Sequence, residues 1–187
     1  HAIIGDYCRI GNNVTIASGV FIGNEVQILH NAILNSGVVM ENKVYCGPSV
    51  VITENTKVRK QPGAISPISP TVFRHGAHVG ANTTVASGHV IGRYAFVEAG
   101  TVVDRNIPDF AIVYGNPLKF GGWQCECGHG LRFSARGEDS TLTRCGYCGK
   151  AYLQDSRWKI VQLAEEAAAR DSHPQPDPSV RSAQGTD

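Results

Sequence analysis

From Ile4 to Ile52 an apolar residue returns at every sixth position, in the series Ile4, Ile10, Ile16, Ile22, Ile28, Leu34, Met40, Cys46 and Ile52. A second apolar set keeps the same step two positions earlier, through Cys8, Val14, Val20, Val26, Ala32, Val38, Val44 and Val50. An amphipathic helix repeats at about 3.6 residues and a half-buried strand at about every second one, so a period of six predicts neither. It predicts a repeat architecture: six residues make one short strand and one turn, and three such faces close a coil. The recurring apolar residues then stack inward on their equivalents one coil away. Glycine follows the first set at Gly5, Gly11, Gly23 and Gly47, where a corner leaves least room for a side chain.

The array breaks after Ile52. From Glu54 to Pro70 the chain is polar, carries Pro62, Pro67 and Pro70, and keeps no six-step pattern, which predicts a loop at 54–70 inserted into the coil. The pattern resumes with Phe73, Val79, Val85, Ile91, Val97 and Val103, with Gly80 and Gly92 at corners, and ends near Asn106 in the turn-rich exit Tyr114-Gly115-Asn116-Pro117. The expected class is therefore all-β, a parallel β-helix over 1–120. The chain opens at His1 inside a repeat, as though further coils came before it.

Composition changes this picture little. A net charge of +1 with no basic run gives no electrostatic case for nucleic acid. No stretch approaches the roughly 18 continuous apolar residues of a membrane span, and no secretory signal opens the sequence, so the expected location is the cytoplasm.

Beyond Phe120 the pattern is different in kind. Cys125-Glu126-Cys127-Gly128 and Cys145-Gly146-Tyr147-Cys148-Gly149 are two short-spaced cysteine pairs, each trailed by glycine, with a strand-like stretch around Leu131 to Phe133 between them. Such pairs read as a zinc ribbon over 121–163, with Cys125, Cys127, Cys145 and Cys148 as four thiolate ligands of a structural ion. Disulfides are the competing reading, and a reducing cytosol favours zinc. His129 is close enough to replace one cysteine but is the poorer ligand. Cys8 and Cys46 fall on ladder positions and read as buried, inert thiols. Trp158 to Leu163 suits either a lead into a helix or a closing strand. Residues 164–187 read as a short Ala- and Glu-rich helix followed by a disordered tail.

The segments Cys46-Gly47-Pro48-Ser49-Val50-Val51-Ile52-Thr53, Gly76-Ala77-His78-Val79-Gly80-Ala81-Asn82, Gly88-His89-Val90-Ile91-Gly92 and Gly115-Asn116-Pro117, with the proline-rich loop containing Arg59, resemble the hexapeptide-repeat acyltransferases. Within them the chain looks like the branch that N-acetylates 3-amino groups of nucleotide-linked sugars. The resemblance covers about the first two thirds of the chain. It implies a left-handed coil, a homotrimer, and acetyl-coenzyme A in the cleft between neighbouring subunits. It places the coenzyme's pantetheine arm along Gly80, Ala81, Gly88 and Ala99, with Arg74 and Lys119 as candidates for the phosphates; each of these is also explicable as a corner residue or a surface charge.

An amine attacks a thioester only when neutral, so a site needs a proton acceptor and hydrogen-bond donors for the developing oxyanion. The candidates are His30 and Asn31, on the coil below Pro48 and Ser49, and Glu54, where relatives have asparagine after a Phe-Thr pair. Thr53 and Arg59 are the candidates for holding the sugar nucleotide, Arg59 through its planar fork. For His30 and Glu54 the plain alternative is a solvated surface side chain. Rival functions are an O-acetyltransferase of the same fold on another acceptor, and a β-helix scaffold whose ribbon recruits a partner. His75, His78 and His89 invite comparison with zinc-dependent carbonic anhydrases of the same helix, although their spacing matches that site poorly.

Overall fold

The structure is a computed structural model and describes residues 1–54, 69–133, 141–156 and 158–163. Its main body is a parallel β-solenoid with three faces. The first face stacks β1 (Ile3–Ile4), β4 (Phe21–Ile22), β7 (Val38–Met40), β10 (Thr71–Phe73) and β13 (Val90–Ile91). The second stacks β2 (Arg9–Ile10), β5 (Gln27–Ile28), β8 (Tyr45–Cys46), β11 (His78–Val79), β14 (Phe96–Val97) and β16 (Ala111–Tyr114), and the third β3 (Thr15–Ile16), β6 (Ile33–Leu34), β9 (Val51–Ile52), β12 (Thr84–Val85) and β15 (Val102–Val103). Register follows the sequence period: Ile3 lies beside Phe21, Arg9 beside Gln27 and Thr15 beside Ile33.

The six-step residues are the core. Ile22, Ile28, Leu34, Met40, Cys46, Ile52, Phe73, Val79, Val85, Ile91, Val97 and Val103 are all fully buried, and burying one such aliphatic or aromatic side chain contributes roughly 1.5–3 kcal/mol. Each ladder residue rests on its equivalents above and below, so the core is continuous although no coil could bury itself. The first coil forms the open end of this stack, and there Ile4 and Ile10 remain 45% and 43% exposed.

The corners divide their work between two kinds of residue. Left-handed backbone is carried mostly by ordinary residues: Tyr7, Glu25, Lys43 and Tyr94 on one edge of the prism, and Asn13, Asn31, Ser49 and Asn82 on the next, all with φ of 51–61°. The glycines that trail the six-step set serve another purpose. A Cβ at Gly80 would lie 2.5 Å from the backbone nitrogen of Ala99, so these glycines permit close approach of the next coil rather than an unusual turn.

The expected loop is a true insertion. Tyr45 pairs with His78 and Val51 with Thr84, a step of 33 where neighbouring coils step by 18. Fifteen residues are thus added between β9 and β10 without disturbing register on any face. The last coil is shorter, with Phe96 beside Ile112. It hands over to an antiparallel extension, β17 (Lys119–Gln124) and β18 (Gly130–Leu131), joined to the second face. The expected domain boundary after residue 120 therefore falls inside β17.

A separate antiparallel sheet of β19 (Thr141–Arg144), β20 (Ala151–Ser156) and β21 (Lys159–Gln162) completes the ribbon, and β21 realises the closing-strand alternative for Trp158 to Leu163. The ribbon docks on the base of the solenoid through ring contacts, Phe110 to Tyr152 and Phe120 to Trp158, both at 5.4 Å. Tyr152 is fully buried there. Residues 55–68 of the loop and the expected helix and tail at 164–187 lie outside the described residues. Among the described residues no helix is long and apolar enough to cross a membrane.

Candidate functional site

The candidate residues fall on two edges of the prism, on a third, and at its base. His30, Asn31, Gly80, Ala81 and Ala99 share the edge between the second and third faces. Thr53, Glu54 and Gly88 share the edge between the third and first faces, where the loop leaves the coil. Arg74 stands exposed on the remaining edge, and Lys119 lies at the base on β17. Arg59 lies outside the described residues. One chain therefore does not bring His30 and Glu54 together.

His30 is exposed, and its Nδ1 accepts a hydrogen bond from the backbone N–H of Asn12 at 2.9 Å. That bond fixes the neutral tautomer, so the ring offers Nε2–H outward as a donor. In that tautomer the lone pair that could accept a proton is on Nδ1, already engaged by the Asn12 N–H. Asn31 holds the corner: its N–H donates to the carbonyl of Asn12, and its φ is 61°.

The loop edge is tied down by hydroxyls. Thr53 Oγ1 accepts from the N–H of Ser87 at 3.1 Å, and Thr71 Oγ1 accepts from the N–H of Gly88 at 2.9 Å. Asn35 Nδ2 donates to the Ile52 carbonyl at 2.8 Å. These bonds seat both ends of the insertion on the neighbouring coils, and Glu54 stands exposed at the root of the loop. Gly88 has φ of 81° and a Cβ there would meet Ser69 at 3.1 Å, so glycine is needed for conformation as well as for space.

The three histidines compared with a carbonic anhydrase site are dispersed. His78 is stacked between Tyr45 and Phe96, at 4.3 and 4.5 Å, on the outside of the second face. His75 caps one corner with its N–H on Glu41, and His89 lies on another edge. Among the described residues only one group of three or more metal-ligating side chains gathers, and it is the four cysteines of the ribbon.

In that group Cys125, Cys127, Cys145 and Cys148 bring all four Sγ atoms within 4.8 Å of one another. Cys125 and Cys148 are 3.4 Å apart and Cys127 and Cys145 are 3.6 Å apart. A tetrahedral zinc with Zn–S of about 2.3 Å requires S···S edges of about 3.8 Å, whereas a disulfide requires about 2.05 Å. All six cysteines of the chain are free thiols, so the arrangement has the dimensions of an ion's coordination sphere.

The surroundings suit that reading. The Tyr152 hydroxyl accepts from the N–H of Glu126 at 3.1 Å, which leaves its hydrogen for Cys125 Sγ at 3.0 Å. Burial raises the Tyr152 pKa and keeps it a donor. Backbone N–H groups of Cys148 and Tyr147 bring the Cys145 thiol down to about 6, while burial pushes Cys125 up to about 12. Burial disfavours a thiolate at Cys125, so the four sulfurs would ionise together only around a cation that offsets that cost. His129 stands 3.6 Å from Cys127 Sγ but stacks on Tyr147 at 4.2 Å, outside the four-sulfur group. Neither Tyr152 nor Trp158 carries a sequence signal, because both act through contacts that follow no repeat.

No protein-family model matches the chain. It is 42% identical over 76 residues to dTDP-3-amino-3,6-dideoxy-alpha-D-galactopyranose 3-N-acetyltransferase of Aneurinibacillus thermoaerophilus, covering 41% of this chain and 38% of that protein. It is 29% identical over 129 residues to the bifunctional protein GlmU of Xanthomonas campestris, covering 65% of this chain and 28% of that one. The chain thus spans well under half the length of either relative.

Among solved structures, it superposes on a hexapeptide-repeat acetyltransferase of Vibrio cholerae with a TM-score of 0.57 at 19% identity, covering 65% of this chain and 73% of that one. It also superposes on the acetyltransferase domain of PglB from Neisseria gonorrhoeae in complex with acetyl coenzyme A, with a TM-score of 0.55 at 20% identity, covering 64% and 51%. At these identities the structures speak for the fold. The six-residue period, the three-faced parallel coil built on it, and the likeness in sequence make the chain similar to the hexapeptide-repeat β-helix acetyltransferases.

Proposed function

We propose that the chain is an acetyl-coenzyme A-dependent N-acetyltransferase whose acceptor is the amino group of a nucleotide-linked 3-amino sugar, with dTDP or UDP as the nucleotide. The observation that carries this is the 42% identity to a dTDP-3-amino-sugar 3-N-acetyltransferase. The PglB domain was solved with acetyl coenzyme A, and this reading takes the same cosubstrate for the present chain.

In this reading the enzyme is a homotrimer in which the His30 edge of one copy faces the loop edge of the next. That assembly supports the chemistry because His30 and Glu54 occupy different edges of a single prism. The amine nitrogen attacks the thioester carbonyl, the C–S bond breaks, and coenzyme A leaves as its thiolate. Glu54 accepts the proton lost by the attacking nitrogen. Backbone N–H groups at the corners are donors for the oxyanion.

His30, held as an Nε2–H donor, orients substrate, with Asn31 shaping the corner beside it. Thr53 and Arg59 hold the sugar nucleotide. Gly80, Ala81, Gly88 and Ala99 give the pantetheine arm a surface of small residues, and Arg74 and Lys119 are the cations for its phosphates. The four cysteines hold one structural zinc, which leaves no open coordination position for catalysis.

Thiol release from acetyl-coenzyme A, followed with a panel of nucleotide sugars, tests this reading. Release is expected only with acceptors bearing a free amine. Release with hydroxyl acceptors alone would instead identify an O-acetyltransferase, and no release with any acceptor would favour a scaffold.

A further inference from the structure

The four cysteines come in two pairs from two sheets. Cys125 and Cys127 lie in the turn between β17 and β18, where the second face of the solenoid is extended, and Cys145 and Cys148 lie in the turn between β19 and β20 of the three-stranded sheet. Among the described residues no strand of one sheet pairs with a strand of the other. Side chains join them instead, and these converge on Tyr152. Its hydroxyl reaches Cys125 Sγ at 3.0 Å, and its ring meets Phe110 edge-on at 5.4 Å. Phe110 stacks in turn on Tyr94 of the preceding coil, at 5.7 Å with 15° between the planes.

The return path runs along the chain. Gln124, immediately before Cys125, donates its N–H to the Phe110 carbonyl at 2.9 Å and its Nε2–H to the Tyr94 carbonyl at 2.7 Å. Cys125, Tyr152, Phe110 and Gln124 thus form a closed circuit with a metal ligand on one side and the last coil on the other. All four are buried. Tyr152 and Ile160 of the ribbon belong to the same buried cluster as Ile107, Val113 and Trp123. A stack of coils leaves its last core layer open unless something else covers it, and here the ribbon does.

We propose that Tyr152 couples the four-cysteine centre to the solenoid, so that metal binding locks the ribbon as the cap of the last coil and the packed cap in turn raises metal affinity. The inference rests on the reading of the cysteines as a metal site and is independent of the acetyl acceptor. The Tyr152 oxygen takes the N–H of Glu126 at 3.1 Å and turns its hydrogen to Cys125. A donor to a metal-bound sulfur orients that sulfur and disperses its negative charge. Without an ion the sulfurs make no crosslink between the two sheets. The other polar crossings, Thr143 Oγ1 to the Arg132 carbonyl at 2.8 Å and the ion pair of Lys150 with Glu126, lie toward solvent. Two equilibria that share one packed element are linked reciprocally.

The test is cobalt(II) binding to the full chain, read from thiolate-to-metal charge-transfer absorption against a competing chelator, with hydrogen exchange of the metal-loaded and metal-free chain alongside. Tyr152→Phe keeps the ring and removes only the hydroxyl. It should weaken the metal at least about tenfold, the usual loss for an outer-shell partner, and move the absorption to longer wavelength, because a sulfur that has lost its donor gives up charge more easily. Phe110→Leu changes no group bonded to a sulfur and should still weaken the metal about fivefold. Unchanged circular dichroism in both variants excludes unfolding as the cause. Chelation should strip protection from the Gln124 amide and spare that of Gly80, which donates to Val97 within the solenoid.

Wild-type affinity and spectrum in Tyr152→Phe overturn the part given to the hydroxyl. Wild-type affinity in Phe110→Leu, or full protection of Gln124 in the metal-free chain, overturns the coupling and leaves a metal site that serves the ribbon alone. A wild-type chain that binds no metal refutes the metal reading, and the coupling with it.

Discussion

Gly80→Ala separates two roles that one residue has been given. A methyl group there would sit 2.5 Å from the nitrogen of Ala99, 2.8 Å from its Cα and 2.9 Å from the carbonyl carbon of Glu98. All three are backbone atoms, and that backbone is tied on both sides: Gly80 N–H donates to Val97, Glu98 N–H to Val113, and Gly100 N–H to Ala81. Relief requires stretching ladder hydrogen bonds worth about 1 kcal/mol each. With one such bond lost and overpacking costs of about 1–3 kcal/mol, the expected loss is about 2–4 kcal/mol.

Gly100→Ala is the control. Gly100 has φ of 71° and open space around its Cα, so it pays only for left-handed backbone, about 1–2 kcal/mol. Urea unfolding of both variants at constant slope gives the comparison. A Gly80→Ala loss no larger than that of Gly100→Ala would refute the coil-contact argument. If Gly80→Ala also weakens acetyl-coenzyme A in the fraction that remains folded, the same small surface serves the coenzyme.

Other predictions follow from the same geometry. Glu54→Gln should lower turnover at least about tenfold, about 1.4 kcal/mol on the barrier, if Glu54 takes the amine proton; an unchanged rate would return it to the solvated surface. Cys148→Ser should abolish stoichiometric zinc, read by elemental analysis of the purified chain, and leave the circular dichroism of the solenoid in place. Cys46, whose thiol burial pushes up to about 12, should resist thiol reagents until the coil unfolds. Burial lowers the pKa of His78 from its ordinary 6.5, so the folded state prefers the neutral ring. That contribution to stability is present above pH 6.5 and is lost as pH falls through the lower folded value. The urea midpoint should therefore drop on acidification, and His78→Phe should flatten that part of the slope.

The ladder was legible because its period is a property of the chain itself: every six-step residue from Ile22 to Val103 is buried as expected. The insertion was legible as a break in that period, although only the pairing of Tyr45 with His78 shows how many residues it adds. The corners were half legible. Glycine at position 80 announced a crowded site, but left-handed backbone at Glu25, Lys43 and Tyr94 sits on residue types that give no sign of it.

The cysteine spacing revealed four ligands and could not reveal Tyr152, which reaches Cys125 from a strand 27 positions later. Trp158 against Phe120 is likewise a contact between unlike elements. Placement on edges of the prism follows from counting in eighteens, which puts His30 and Glu54 apart. Whether they meet depends on a second copy, and no single-chain pattern encodes that.

Transfer of a carbon-labelled acetyl group from coenzyme A to a dTDP-linked 3-amino-6-deoxyhexose, followed by resonance spectroscopy of the product, tests the account at its centre. The label is expected as an amide on the sugar's 3-nitrogen, with one thiol freed per amide formed. Label on a hydroxyl oxygen, label found only as free acetate, or unchanged coenzyme would contradict it.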